Sequence, residues 1–373
     1  MTLPLLQKAN LLNKFFFCLL LLGAALPAQA QELVPEVVEI VRARVVEVVS
    51  ERTENIPGTD VTTEVQTLRV EILEGEQTGE SVEFENDYLV LKEGETFYLR
   101  HAYDSIDGLH RYAVSAPDRL PALLLLFLAF LAVLFFFGGK QGARGLLALA
   151  GSLIVIMYVL LPAMLAGYPP VLVAMAVSSV IVILGSYVTH GFTRTTSAAV
   201  LGMLSTIGVT GLLAYLAIGW TRLSGYSGDE VTYLFFDTGG AIDLVGLLLA
   251  GIMIGLLGVL YDAAIGQAVA VEELSAAGKH LTPREVYKRG IRIGREHIGA
   301  LVNTLAIAYV GASLPLLLLL QVSYEQSIWL TINQELFATE IVRILVGSIG
   351  VILVVPFATA VAVWMLGRDK KQN

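Results

Sequence analysis

The sequence has almost no cysteine and few charged side chains for its length. Its one cysteine among 373 residues is Cys18, and charged residues make up only 15% of the chain. Cys18 lies in an N-terminal apolar run that has the form of a secretory signal, so the mature chain is expected to lack thiols. Disulfides, thiolate metal sites and cysteine nucleophiles are therefore excluded.

The sequence motifs of the common hydrolases are also missing. The chain contains no Gly-x-Ser-x-Gly, His-Glu-x-x-His or Gly-Lys-Thr phosphate loop. Asp243 and Asp262 would lie about 28 Å apart on one helix, too far for a catalytic aspartate pair. We therefore expect no enzymatic activity, no catalytic residue, no bound metal and no cofactor.

What the chain has in abundance is apolar sequence. Hydrophobic residues make up 55% of it, and its mean hydropathy is +0.72. Such values are typical of an integral membrane protein with the lipid bilayer as its main partner. The formal charge of −9 is uneven, because residues 31–118 hold twenty acidic and seven basic side chains. This acidic excess argues against nucleic-acid binding.

The first 30 residues form a predicted cleavable signal peptide. Lys8 and Lys14 precede an apolar run over residues 15–26, and Ala28-Gln29-Ala30 follows it. We expect cleavage before Gln31, with an uncleaved anchor as the alternative. The signal indicates export across, or insertion into, a membrane.

Residues 31–118 are predicted to form a small extracytoplasmic all-β domain. Short runs rich in valine and threonine alternate with turn signals such as Gly75, Gly79 and Gly94. Five or six such strands favour a barrel of the OB or SH3-like kind. We interpret the domain as a cap or docking module for an envelope partner, with a ligand-binding cleft as the alternative.

Residues 119–373 are predicted to form a polytopic α-helical bundle of about seven transmembrane helices. Each apolar run is near the roughly 20 residues needed to cross a bilayer. The predicted spans are residues 121–137, 145–166, 170–188, 197–219, 244–264, 299–321 and 341–366. Basic residues cluster in alternate loops and in the tail, which places residues 31–118 outside and the C-terminus in the cytoplasm. A homo-oligomer is also considered.

Residues 244–320 carry the polar groups that are hardest to explain in a membrane. A charge at membrane depth costs about 3 kcal/mol, so Asp262 needs a partner, a wet cavity or a function. Small residues permit close approach of helices. The predicted packing residues are Gly251, Gly255, Gly258, Gly299 and Ala306, and the predicted polar path is Asp262, Glu273, Glu296, Asn303 and Thr304.

Two interpretations of Asp262 remain open. If its helix stays deep, Asp262 is an ion or proton site; if the helix emerges there, Asp262 is an interfacial residue. We expect a polar contact with the next helix through Asn303, His297 or an arginine. Asn303 itself either bridges helices or coordinates a cation. His190, in another inner loop, could approach in space.

These residues resemble the YibE/F family of bacterial membrane proteins. The resemblance covers most of the chain after the signal and is most specific over residues 251–320. It rests on Asp262, on Glu273-Leu274, on Asn303-Thr304-Leu305 and on Ser313-Leu314-Pro315. The family implies the membrane topology but no established biochemical activity. From the residues we expect a transporter or permease-like protein for an ion or small solute, with a non-catalytic envelope module as the alternative.

Overall fold

A computed structural model describes residues 37–56, 58–104, 109–278, 280–322 and 327–366. The predicted signal peptide and the basic tail lie outside the described residues. The chain divides between Ala129 and Phe130 into two compact units, each with its own interior.

The first unit contains a five-stranded antiparallel sheet. Its strands are β1 (Val37–Asn55), β2 (Thr62–Ile72), β3 (Ser81–Asn86), β4 (Thr96–Asp104) and β5 (Leu109–Pro117), in the order β3-β2-β1-β4-β5. The outer strands β3 and β5 come into contact, so the sheet curls towards a half-barrel. The predicted small all-β domain is therefore confirmed, as a curled five-stranded sheet.

The sheet folds because one face of each strand is apolar. Val41, Ala43 and Val45 on β1 are buried together with Leu68 on β2 and Leu99 on β4. This spacing of two is the period of side chains along a strand. At the end of the sheet, the Asp118 carboxylate accepts hydrogen bonds from Arg42 (3.0 Å) and Thr96 (3.2 Å). The bond to Asp118 raises the pKa of Arg42.

Gln66 on β2 is the main polar anchor inside the sheet. It is 1% exposed, its side-chain oxygen accepts from Leu91 N (2.8 Å), and its amide donates to Leu91 O (3.0 Å). Replacing Gln66 with leucine should lower the unfolding free energy by roughly 1–3 kcal/mol, because the Leu91 backbone loses both partners. Thermal unfolding of the full chain checks this. Gln77→Leu on the adjacent turn is the control, and equal stability of the two variants would contradict the prediction.

The rest of the described chain is helical. Its helices are α1 (Leu120–Val155), α2 (Leu161–Leu165), α3 (Pro170–His190), α4 (Arg194–Thr221), α5 (Asp229–Asp237), α6 (Leu244–Ala277), α7 (Pro283–Ala312), α8 (Leu314–Val322), α9 (Ile328–Ile332) and α10 (Glu335–Leu366). A π-helical turn, Ile156–Leu160, joins α1 to α2. Among the described residues, five helical segments are long and apolar enough to cross a membrane, or six if the bent pair α7–α8 is one span.

The first of these segments, Leu120–Leu165, is broken at Gly139. Gly139 has φ 50° and ψ −134°, a backbone conformation that side chains disfavour. A Cβ on Gly142 would lie 2.8 Å from the carbonyl oxygen of Leu134. Eight residues of continuous helix rise about 12 Å, so the chain must turn sharply here. The break separates the predicted spans 121–137 and 145–166.

Close contacts define the two ends of the helical bundle. The Glu335 carboxylate accepts hydrogen bonds from the backbone N–H groups of Ser224 and Gly225, both at 2.7 Å. A Cβ on Gly246 would lie 2.1 Å from Pro170. The starts of α3, α6 and α10 therefore share one end with the C-terminal end of α4. At the other end, Tyr187 and Ser197 join α3 to α4 through a 3.0 Å hydrogen bond.

Candidate functional site

Asp262 lies in an open cavity between α6 and α7. The cavity has a volume of about 550 Å³, and its wall includes Asp262, Thr304, Tyr309, Gly255 and Gly258. Two residues of the predicted polar path, Asp262 and Thr304, are thus brought to one place by consecutive helices.

The position of α7 follows from its N-terminus and from two glycines. Thr282 and Glu285 form a capping box around the first turn, as their spacing predicts. Further along, the Gln267 amide on α6 donates to the carbonyl of Gly290 at 2.7 Å. A Cβ on Gly294 would lie 2.8 Å from the same glutamine, so only glycine permits this approach.

Two contacts fix the relative direction of α6 and α7. Gly294 meets Gln267 at one level, and Tyr309 meets Gly255 at another. Residue numbers rise on α7 as they fall on α6, so the helices are antiparallel. Thr304 therefore comes within about one helical turn of Asp262.

The oxygen atoms of the cavity are mainly hydrogen-bond acceptors. The Thr304 hydroxyl donates to Ala300 O at 2.9 Å, which leaves its lone pairs available. In the described part of the chain, the Asp262 carboxylate makes no hydrogen bond or ion pair. A carboxylate and a hydroxyl oxygen of this kind suit a cation or a hydrogen-bond donor.

The titratable neighbour of Asp262 is His190, at the end of α3. The two side chains lie near each other but form no hydrogen bond or ion pair among the described residues. The His190 ring also lies 5.7 Å from the ring of Tyr261, whose hydroxyl donates to Gly185 O at 3.3 Å. Asp262 thus interacts with α3, and a hydrogen bond or ion pair with Asn303, His297 or an arginine is not formed among the described residues.

Of the other predicted site residues, Gly255 and Gly258 line the cavity and the rest lie outside it. Glu273, Glu296 and Asn303 are exposed on the surface of the chain, and Ala306 is half-buried. Added Cβ atoms on Gly251, Gly258 and Gly299 would meet nothing within 4 Å. Among the described residues, Gly255 is the one glycine of the predicted face at which a Cβ would meet another helix. At the other three, close helix packing stays a prediction.

A second polar cluster lies beside Tyr309. Arg343 on α10 pairs with Glu340 at 3.0 Å, as their separation of three residues predicts, and its guanidinium lies 5.8 Å from the centre of the Tyr309 ring. Buried Glu340 Oε2 and Arg343 Nε have no hydrogen-bond partner among the described residues. Nothing in the sequence pattern pointed to Tyr309; the only signal was a charged pair inside an apolar helix.

Gly255 is the residue that lets Tyr309 enter the seam between α6 and α7. A Cβ there would lie 2.0 Å from the Tyr309 hydroxyl oxygen and 3.2 Å from Cζ. Gly255→Ala should therefore destabilise the protein by roughly 1–3 kcal/mol through overpacking. Tyr309→Phe removes the colliding oxygen and should restore most of the loss. Unfolding free energies of the four proteins in a double-mutant cycle measure this coupling, and simple additivity would contradict the contact.

The helical part of the chain matches a known family. A model described as YibE/F-like protein matches residues 126–368, which include Asp262, Thr304 and Tyr309. Comparison with curated proteins and with solved structures finds no match. Because the matched residues make up well over half of the chain, the protein is a member of the YibE/F-like family.

Proposed function

We propose that this protein is a transporter that carries an ion or small solute along the seam between α6 and α7. The observation that carries the proposal is the cavity of about 550 Å³ that Asp262, Thr304 and Tyr309 line together. Its acceptor oxygens make a cation the best match. The proposal includes no chemical step on the substrate.

The proposed path has polar groups on both sides of Tyr309. Asp262 and His190 lie on one side, and the Glu340–Arg343 pair lies on the other. Tyr309 stands between them, with its ring towards Arg343 and its hydroxyl against Gly255. Ionisable groups in membrane helices commonly mark ion pathways. The 68° bend between α7 and α8 gives this helix pair a broken form of the kind that transporters use.

The proposed topology has about seven spans. The turn at Gly139 divides the first apolar segment in two, and the bent pair α7–α8 counts as one span. Lys140, Arg144 and Arg194 then fall on the cytoplasmic side. Residues 31–118 are accordingly proposed to be an extracytoplasmic domain, with a cleaved signal over residues 1–30. The C-terminus is proposed to lie in the cytoplasm and the bundle in the bacterial inner membrane.

The purified full chain in lipid vesicles tests the transport proposal. Separate vesicle preparations carry imposed gradients of H⁺, Na⁺ or K⁺, each followed with an ion-sensitive dye inside. At least one gradient should collapse faster than in protein-free vesicles. If correctly folded protein conducts none of the three, cation transport is wrong.

A second candidate function is docking of an envelope protein by the sheet. Val38 and Ile40 on the central strand β1 are 43% and 57% exposed, on the face opposite the buried Val41. Exposed apolar side chains on a central strand suit a protein partner more than a solvated surface. This function would remain if the vesicles showed no flux.

A further inference from the structure

The sheet carries a pair of histidines outside the proposed path. His101 lies on β4 and His110 on β5, with Nε2 of the first 2.7 Å from Nδ1 of the second. Their ring centres are 5.0 Å apart and their planes differ by 17°. Each of these nitrogens lies one ring radius from the centre of its ring. Because the distance between the ring centres equals the N–N distance plus two such radii, the four points lie on one line and the two nitrogens point at each other.

Neighbouring strands and tyrosines hold this pair in place. His101 lies opposite Tyr112 and His110 opposite Tyr103 in the β4–β5 register, so the histidines are diagonal neighbours. The Tyr112 ring stacks on His101 at 4.8 Å, and the Tyr103 ring packs on His110 at 5.0 Å. Diagonal side chains on antiparallel strands are within reach of each other, so the backbone fixes the spacing of the two imidazoles.

The pair is open to solvent on one side. His101 follows the fully buried Leu99 on the same face of β4 and is half-buried, while His110 is exposed. Glu39 lies opposite His101 on β1. The strongly acidic domain around the pair raises the local concentration of cations.

We propose that His101 and His110 bind a late first-row divalent cation, Zn²⁺ or Cu²⁺. Imidazole nitrogen is a preferred ligand of both ions. Two nitrogens on one tetrahedral zinc ion lie about 3.4 Å apart and point at the metal rather than at each other. The rings would therefore separate by about 0.7 Å, and each would turn by about 35° through rotation of its side chain. The nitrogen that donates in this hydrogen bond would bind the metal after its proton moves to the other nitrogen of the same ring.

The site would be exchangeable and completed by water. Among the described residues, no group of three or more His, Cys, Asp and Glu side chains is placed to hold a metal. Structural zinc sites are closed by four protein ligands, whereas a site with two imidazoles leaves positions for water. The occupancy of the site would therefore follow the concentration of the free cation in the surrounding compartment.

Titration of the purified full chain with ZnCl₂ and CuCl₂ tests the assignment. One ion per chain should bind, and His101→Gln and His110→Gln should each weaken binding at least about tenfold. His280→Gln, a change at an exposed histidine in the other unit, is the matched control and should bind as the wild type does. Mg²⁺ and Ca²⁺ prefer oxygen ligands and should not compete.

Three results would overturn the proposal: no stoichiometric binding by the wild type, unchanged binding by both histidine variants, or displacement by Mg²⁺, which would indicate the acidic surface. If the variants misfold, ¹⁵N-histidine NMR of the wild type decides the question. Zn²⁺ should shift the signals of two of the five imidazoles. Shifts spread over all five signals, or none, would refute the site.

Discussion

Replacing Asp262 with asparagine should abolish cation flux through the reconstituted protein while leaving the fold and membrane insertion intact. The carboxylate lines the α6–α7 cavity and makes no hydrogen bond or ion pair among the described residues. Asparagine keeps the shape of the side chain but removes the charge that would attract a cation. A decrease of at least about tenfold in initial flux is expected, equivalent to about 1.4 kcal/mol of lost stabilisation.

Asp243 provides the matched control on the same helix. Its side chain caps α6 by accepting from Gly246 N at 3.0 Å, and asparagine caps helices equally well. Asp243→Asn should therefore retain flux, although it makes the same change of carboxylate to amide. Normal flux in Asp262→Asn would exclude Asp262 from the path. Failure of that variant to accumulate, with Asp243→Asn unaffected, would show a structural role instead.

Alanine at Gly202 should cause a large loss of stability in the bundle. A Cβ there would lie 2.6 Å from Cα and 3.0 Å from the backbone nitrogen of Ala358 on α10. Backbone atoms cannot rotate away as a side-chain tip can, so α4 and α10 must separate along their contact. Overpacking of this kind costs about 1–3 kcal/mol, and we expect the upper end.

Gly208 on the same helix is the control for that substitution. A Cβ at Gly208 would meet nothing within 4 Å, so Gly208→Ala should be neutral or should stabilise α4 by up to about 1 kcal/mol. Denaturant unfolding in detergent, followed by the helical circular dichroism signal, compares the two variants. Equal stability of both would mean that α4 and α10 are not in backbone contact.

The coarse architecture could be predicted because it follows from local patterns. Alternating residues identified the sheet, and long apolar runs identified five or six helices that are long and apolar enough to cross a membrane. The capping box at Thr282 and Glu285 likewise depends only on residues three apart in the sequence. Asp262 and Thr304 could be singled out because polar groups are rare in apolar helices, and the structure places both on one cavity.

The partners of these residues could not be predicted, because they depend on the register between helices distant in the sequence. Asp262 was expected to form a polar contact with the following helix, yet its titratable neighbour, His190, comes from α3. Tyr309 reaches α6 only because Gly255 lacks a side chain at that level. The glycines nearby have the same periodicity but face open space, so spacing alone cannot tell which of them is in contact.

The hydrogen bonds accepted by Glu335 limit which helices of the bundle can move. They tie the Ser224–Gly225 turn to the start of α10, while Gly202 and Ala358 hold the same two helices together further along. α4 and α10 are therefore held together at two positions along their length. If the transporter moves so as to expose Asp262 alternately, the moving helix would be α7. It would turn about the bend before Leu314 at one end and the Gln267–Gly290 hydrogen bond at the other.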